Sequence, residues 1–283
     1  MARISALYIY PVKSLAGFSV VSATLGATGL RWRDKVADRQ WLLANSAGRF
    51  ITQRQLPQLA QIKTELTDSA LVLHHAEQAS ISIPYDYDQS QARQVTVWRD
   101  EVKGYDEGDS VAQWLEQACG KSDIRLIRFG DDSERAVSTK HLWQHEASQV
   151  AFADGYPILV SNTASLEQFN RYLREQQLTA LSMTRFRANV VVTDWQPWQE
   201  NNTAELTEQH NRYQLGLRKP CERCPMITTD QQTGERPEQG LPLKALAEFD
   251  SLGDGSGAYF GQNAIIVRGD GELIEVGDEL RVD

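Results

Sequence analysis

Cysteine is scarce in this sequence of 283 residues: Cys119, Cys221 and Cys224 are all there are. Three is a poor basis for a disulfide framework and fits a reducing compartment. In that setting a close pair points to metal or redox chemistry more often than to a structural staple. Long apolar runs are missing as well. No stretch approaches the roughly 18 residues that a transmembrane helix needs. The start, Met1-Ala2-Arg3-Ile4-Ser5, lacks the apolar segment and small-residue cleavage site of a secretion signal. A cytoplasmic protein that makes no use of a membrane is therefore expected. Positive charge is in deficit: the net charge of −9 argues against a nucleic-acid partner. Any anionic ligand must then be held by a local group of basic residues. There is no internal repeat and no low-complexity tract. Hydrophobic residues at 41% and charged residues at 24% are ordinary globular values, and the length suits two modest domains or one large one.

The first hundred residues read mostly as short strands. Ile4 to Tyr10 alternates loosely and stops at Pro11, which cannot donate to a ladder. Phe18 to Leu25 is a second strand candidate. Gln40 to Ala44 and Arg49 to Thr52 flank Asn45-Ser46-Ala47-Gly48, a hairpin turn. Ile62 to Leu66, Leu71 to His74 and Ala79 to Ile83 keep the rhythm, which suggests a barrel or sandwich. A helix is expected over Ser110 to Ala118, capped by Asp109 or Ser110 and stopped at Gly120. After a strand at Ile124 to Phe129, the clearest helix runs from Ser165 to Gln176, with Leu166, Phe169, Tyr172 and Leu173 on one stripe. Phe186 to Thr193 and Arg212 to Leu217 read as strands, and Leu243 to Phe249 as a short helical turn. Asn263 to Arg268, Leu273 to Val276 and Leu280 to Val282 read as a meander. A soft boundary falls near Gly120 to Ser122.

The chemistry concentrates at Cys221-Glu222-Arg223-Cys224. Structural zinc usually needs two more ligands at set spacing, and there is no second C-x-x-C and no H-x₃₋₅-H. A thioredoxin-like dithiol opens a helix, whereas Pro225 follows Cys224 directly and biases that cysteine away from helix. Two buried spectator cysteines, or a solvated basic loop, remain open alternatives. Arg218, Lys219 and Arg223 stand close to both thiols. Cations beside a thiol favour thiolate, the form that binds soft metal centres. In a chain of net charge −9, three such cations suggest a nearby anionic group. Asp230 and His210 are the nearest candidates for a general acid, and an ordinary solvated role serves each as well.

Lys219-Pro220-Cys221-Glu222-Arg223-Cys224-Pro225, followed by Thr228-Thr229-Asp230 and Thr233-Gly234, resembles the metal-binding segment of MOSC-domain proteins. Ile9-Tyr10-Pro11-Val12-Lys13-Ser14 is similar to the opening of that family's N-terminal β-barrel partner domain. Asp38 to Leu43, Thr52-Gln53-Arg54, Arg185 to Asn189, Phe260-Gly261-Gln262-Asn263 and Val276-Gly277-Asp278 extend the resemblance over nearly the whole chain. It implies a mainly β fold with some α, an α+β protein in which a MOSC β-barrel domain at 122–283 follows a smaller β-rich domain at 1–121. The first strands are expected to reach the cofactor site.

The resemblance further implies a molybdenum-dependent oxidoreductase of the amidoxime-reducing type, acting on N-hydroxylated compounds such as purine bases and thereby detoxifying them. The implied cofactor is a molybdenum-pterin (molybdopterin) group, with Cys224 as the one protein ligand to the metal. Cys221, Glu222 and Arg223 would be its neighbours. Lys13, Ser14 and Arg39 match positions that hold the pterin and its phosphate. Arg187 and Asn189 match a second contacting strand, and Ser161, Asn162 and Thr163 a contacting loop that precedes the clearest helix. Arginine suits phosphate through its planar fork, lysine as a point charge, and a helix start through its free N–H groups. Three cysteines cannot build a plant-type iron–sulfur cluster. Electrons are thus expected from a separate flavoprotein reductase or ferredoxin-like protein. A sulfur-carrier or cofactor-handling role, with a persulfide on Cys221 or Cys224, is the competing function.

Overall fold

The computed structural model describes residues 1–236 and 240–282. The protein is mostly β, with three α-helices among the described residues. Seven strands close into a barrel: β1 (Ala2–Ile9), β2 (Ile158–Asn162), β3 (Val190–Thr193), β4 (Glu205–Glu208), β5 (Gln214–Glu222), β6 (Tyr259–Arg268) and β7 (Glu279–Val282). Around the ring the order is β3-β2-β6-β5-β4-β7-β1, and β1 pairs back onto β3 to close it. Closure leaves no unpaired edge in the ring. β2 and β3 pair in parallel, and such a pair needs a crossover; helix α2 (Thr163–Glu175) supplies it.

The barrel interior is filled by Ile4, Leu7 and Ile9 of β1 with Val160, Val190, Leu206, Leu215 and Leu280, all buried. In β1 the inward residues step from Ile4 to Leu7. The register explains this: Ile4 faces Val192 and Ala6 faces Val191, so Ser5 is an extra residue on β1. The bulge resets the alternation, and both ends of the strand still point apolar side chains inward.

Residues between β1 and β2 build further sheets. The hairpin at Trp41–Ala44 and Phe50–Ile51 is as expected, with Leu43 opposite Ile51. Helix α1 (Asp109–Cys119) packs Val111, Trp114 and Leu115 over a second core. Gly108, and not Asp109 or Ser110, is its N-cap, while Gly120 ends it in left-handed conformation. Helix α3 (Leu241–Phe249) packs Leu246 with Phe169 and Leu173 of α2. No helix among the described residues is long and apolar enough to cross a membrane.

Three expectations change. The strand expected over Phe18 to Leu25 breaks at Val21, which is 81% exposed. That expected over Phe186 to Thr193 begins at Val190, because Met183–Phe186 forms a 3₁₀ turn and Arg187 turns left-handed. The C-terminal meander does not form. β6 pairs with β5 and β2, Leu273–Glu275 pairs with Ser22–Gly26, and β7 pairs with β4 and β1. The first strand and the last thus lie side by side.

Candidate functional site

Two loops leave the barrel with buried basic side chains. After β1, Pro11 ends the ladder and the chain runs through Val12, Lys13 and Ser14. After the 3₁₀ turn, Arg187 leads into β3. Ser14, Arg39 and Arg187 all hold positive φ, at 72°, 50° and 55°. A non-glycine residue there costs on the order of 1–3 kcal/mol, so the surroundings must over-determine it.

The surroundings do so. The Arg39 guanidinium donates to Asp38, to Asn189 Oδ1 at 3.0 Å and to the Arg187 carbonyl at 3.0 Å. Arg187 donates to the Leu15 carbonyl at 2.8 Å. The Tyr10 ring lies between the two guanidinium groups, 4.3 Å from Arg39 and 4.2 Å from Arg187. Lys13 donates to the Phe152 carbonyl at 2.8 Å and to Asp154 at 2.5 Å. Burial pulls the Lys13 ammonium below its ordinary pKa, with Asp154 opposing. Burial, then the charge of Arg39, brings Arg187 down to about 10. Burial also pushes the Tyr10 phenol up to about 12, so Tyr10 stays neutral between its two cations.

The cysteine pair arrives from the opposite side. β5 carries Cys221 and ends at Glu222. Cys221 packs against Leu159, Ala188 and Val191 and accepts a hydrogen bond from Arg223 Nη1 at 2.9 Å. Arg223 also donates to the Phe186 carbonyl at 2.8 Å, which ties the cysteine segment to the turn before Arg187. Cys224 caps a 3₁₀ turn, Pro225–Thr228, its carbonyl accepting from the Ile227 N–H at 3.2 Å. Ile227 is buried with Phe186 and Phe260, which fixes the turn on the core.

These groups converge on one cleft of about 820 Å³, open to solvent. Of the expected residues, Lys13, Ser14, Arg39, Arg187, Asn189, Cys221, Glu222, Arg223 and Cys224 line it. Five basic side chains (with Arg54) face two acidic ones, Asp154 and Glu222, so the cleft is cationic in an acidic chain. Ser14 Oγ, Arg187 Nη2 and Arg223 Nε are buried with no partner. Cys221 and Cys224 are both free thiols.

Ser161, Asn162 and Thr163 do not line the cleft. Asn162 caps α2, its Oδ1 accepting from Ala164 N–H at 3.0 Å, while its amide donates to Gln196 O and to buried Glu200. The helix start expected to receive phosphate is therefore closed by its own cap. Thr163 reaches Thr193, and Ser161 lies against Gly261. Arg218, expected beside the thiols, also points elsewhere. Leu217 faces Ala264 and Lys219 faces Asn263, so Arg218 is an extra residue on β5. The bulge sends its guanidinium to Glu146 at 2.5 Å, Glu205 at 3.0 Å and the Trp143 ring at 3.7 Å. Lys219 does not line the cleft either. Asp230 is held by Arg185 at 2.9 Å and closes its own turn, and His210 caps onto Glu208; neither reaches the cleft.

The sequence reading missed the loop Ala153-Asp154-Gly155-Tyr156 and Met226, which also line the cleft. No composition signal marks that loop. Arg54 and Asn263 were within quoted motifs, yet neither had been given a role.

Fold and cleft together define a closed β-barrel protein with a cationic, thiol-bearing cleft where the strands of the two chain halves meet. The chain belongs to the MOSC-domain family. The MOSC N-terminal beta barrel domain matches residues 1–122 and the MOSC domain residues 147–281. It is similar to mitochondrial amidoxime-reducing component 1 of Mus musculus, 30% identical over 267 residues, 93% of this chain and 75% of that protein. Mitochondrial amidoxime reducing component 2 of Rattus norvegicus is 31% identical over 88% of this chain and 72% of its own. Molybdenum cofactor sulfurase of Drosophila mojavensis is 32% identical over 84% of this chain, which spans 29% of that longer protein.

Proposed function

We propose that this chain is a molybdenum-cofactor-dependent reductase of N-hydroxylated compounds, N-hydroxylated purine bases among them, supplied with electrons by a separate redox protein. The observation that carries the reading is the meeting, on one cleft, of two free thiols with buried cations whose donors are partly unspent. A buried donor left unpaired costs about 1–3 kcal/mol. Ser14 Oγ, Arg187 Nη2 and Arg223 Nε therefore suit a bound anionic group, and the donor set fits a phosphate-bearing pterin cofactor. The names of the amidoxime-reducing relatives support the same chemistry.

Lys13, Ser14, Arg39 and Arg187 would hold the pterin and its phosphate, and Cys224 would give the metal its protein thiolate. When bound, the cofactor supplies two-electron oxygen-atom transfer at molybdenum. The chain does the rest. Asn189 joins Arg39, the Leu159 N–H and the Tyr8 carbonyl, so it positions the bed from the wall of the cleft. Arg223 holds Cys221 aside as a neighbour of the site. Leu159, Phe186 and Met226 give the cleft an apolar wall that limits water.

Metal analysis of protein from a host that makes the cofactor tests this. Molybdenum should vanish in Cys224→Ser and survive in Cys221→Ser. Equal loss in both, or none in the wild type, overturns the ligand assignment. Metal-loaded protein with an artificial electron donor should reduce an N-hydroxylated purine, and zero turnover counts against the reductase. A second reading, a sulfur-carrier role with a persulfide on Cys221 or Cys224, draws on the sulfurase relatives and on the Arg223 contact to Cys221. Persulfide labelling of either thiol would favour it.

A further inference from the structure

The basic side chains of the cleft divide into two sets. Lys13, Arg39 and Arg187 are 6%, 9% and 7% exposed, and each donates to neighbours in the bed: carbonyls, Asp154, Asp38 and Asn189. Arg54 differs. It is half-buried on the wall of the same cleft, and its guanidinium has no hydrogen bond or ion pair among the described residues. It is nevertheless held in place. Its Cζ lies over the Trp98 ring, 4.5 Å from the centroid. Trp98 is fixed in turn by the Phe50 ring at 5.2 Å and by donation from Nε1 to Asp154 Oδ1 at 3.2 Å. The Arg54 backbone is pinned by Thr52 Oγ1 and by Arg236, which reaches its carbonyl.

Stacking uses the face of a guanidinium and leaves its in-plane N–H fork free. Arg54 is thus a tethered guanidinium with unspent donors, and such a planar fork suits phosphate. Its position says which phosphate. The orphaned donors of Ser14 and Arg187 lie deep in the cleft, with the bed that suits the cofactor's own phosphate. Arg54 sits at the rim, beside Trp98 at 48% exposure and Asp154 with its carboxylate 61% exposed. Asp154 stands near it, feels the Arg54 charge, and is already paired with Lys13. We propose that Arg54, held over the Trp98 ring, anchors a phosphate monoester carried by the substrate. The preferred substrates are then N-hydroxylated nucleotides rather than the free bases or nucleosides. This rests on the reductase reading for the reaction but not for the binding.

The test compares N4-hydroxycytidine with its 5′-monophosphate, on cofactor-loaded wild type, Arg54→Gln and Arg54→Lys. The wild type should bind the monophosphate roughly 10- to 100-fold more tightly by calorimetry, the range of a charged hydrogen bond. Arg54→Gln should erase that preference, raise KM for the monophosphate alone, and leave kcat, nucleoside KM and molybdenum per chain unchanged. Arg54→Lys should recover only part. No preference in the wild type, or equal losses for both ligands, overturns the proposal. Molybdenum loss in Arg54→Gln also overturns it, since Arg54 would then serve the cofactor. A binding preference without turnover of either compound sinks the reductase reading and leaves the anchor standing.

Discussion

Replacing Arg187 by Met separates what the cationic bed does for the ligand from what it does for the fold. The guanidinium is buried, and burial with the neighbouring Arg39 charge brings its pKa down to about 10. That corresponds to roughly 3 kcal/mol against carrying the charge in the folded state. Two contacts offset it. The hydrogen bond to the Leu15 carbonyl is worth about 1.5–3 kcal/mol, and the Tyr10 ring at 4.2 Å about 0.5–2 kcal/mol. Met keeps the unbranched stem and adapts to the space. The cofactor-free variant should therefore unfold within about 1.5 kcal/mol of the wild type, in contrast to the roughly 3–5 kcal/mol lost on breaking a buried ion pair. The sign with pH follows from the lowered value. A base held below its ordinary pKa binds protons less readily when folded, so the penalty is complete at every pH below about 10. It is relieved only between there and the ordinary guanidinium value. Urea denaturation at neutral pH gives the stability, and metal analysis the cofactor, which should fall at least tenfold. A loss beyond about 3 kcal/mol would show that the charge is a net support of the fold. Full molybdenum retention would show that Arg187 is not part of the bed.

Two further perturbations test parts of the structure outside the cleft. Arg218→Ala removes a fully enclosed guanidinium from Glu146 and Glu205 and should cost about 3–5 kcal/mol, with molybdenum per folded chain unchanged; loss of metal without loss of stability would return Arg218 to the site. Glu200 is fully buried beside the cap of α2, and burial holds its carboxyl above the ordinary range. The folded state binds that proton more readily than the unfolded state. Wild-type stability should thus decline as pH rises from the ordinary carboxylate range through the raised value, and Glu200→Gln should remove that decline. Urea midpoints from about pH 4 to about pH 7 check this, and parallel slopes in the two proteins would refute it.

Some of the strands were legible because β1 of the barrel and the hairpin at Trp41–Ala44 outside it follow simple rules: alternation, a proline stop, a glycine-bearing turn. The hairpin of Ala92–Val97 and Asp100–Asp106 escaped notice. Its inward residues, Val95, Val97 and Val102, are few and set among charges. Pairing between distant segments, such as Leu273–Glu275 with Ser22–Gly26, carries no local signal at all.

The site shows a sharper limit. Arg218 and Arg223 are five positions apart on or beside one strand, and composition treats them alike. A single extra residue in β5 sends one to Glu146 and leaves the other on Cys221. Asn162 before a helix could equally announce an anion site or a cap, and the choice was made by Glu200, which is distant in sequence and buried against it. Ser14, Arg39 and Arg187 owe their convergence to left-handed backbone that no non-glycine residue advertises. Residue type thus showed which groups could hold an anion. Bulges, caps and positive φ, each set by partners more than a hundred residues away in several cases, decided which of them face it.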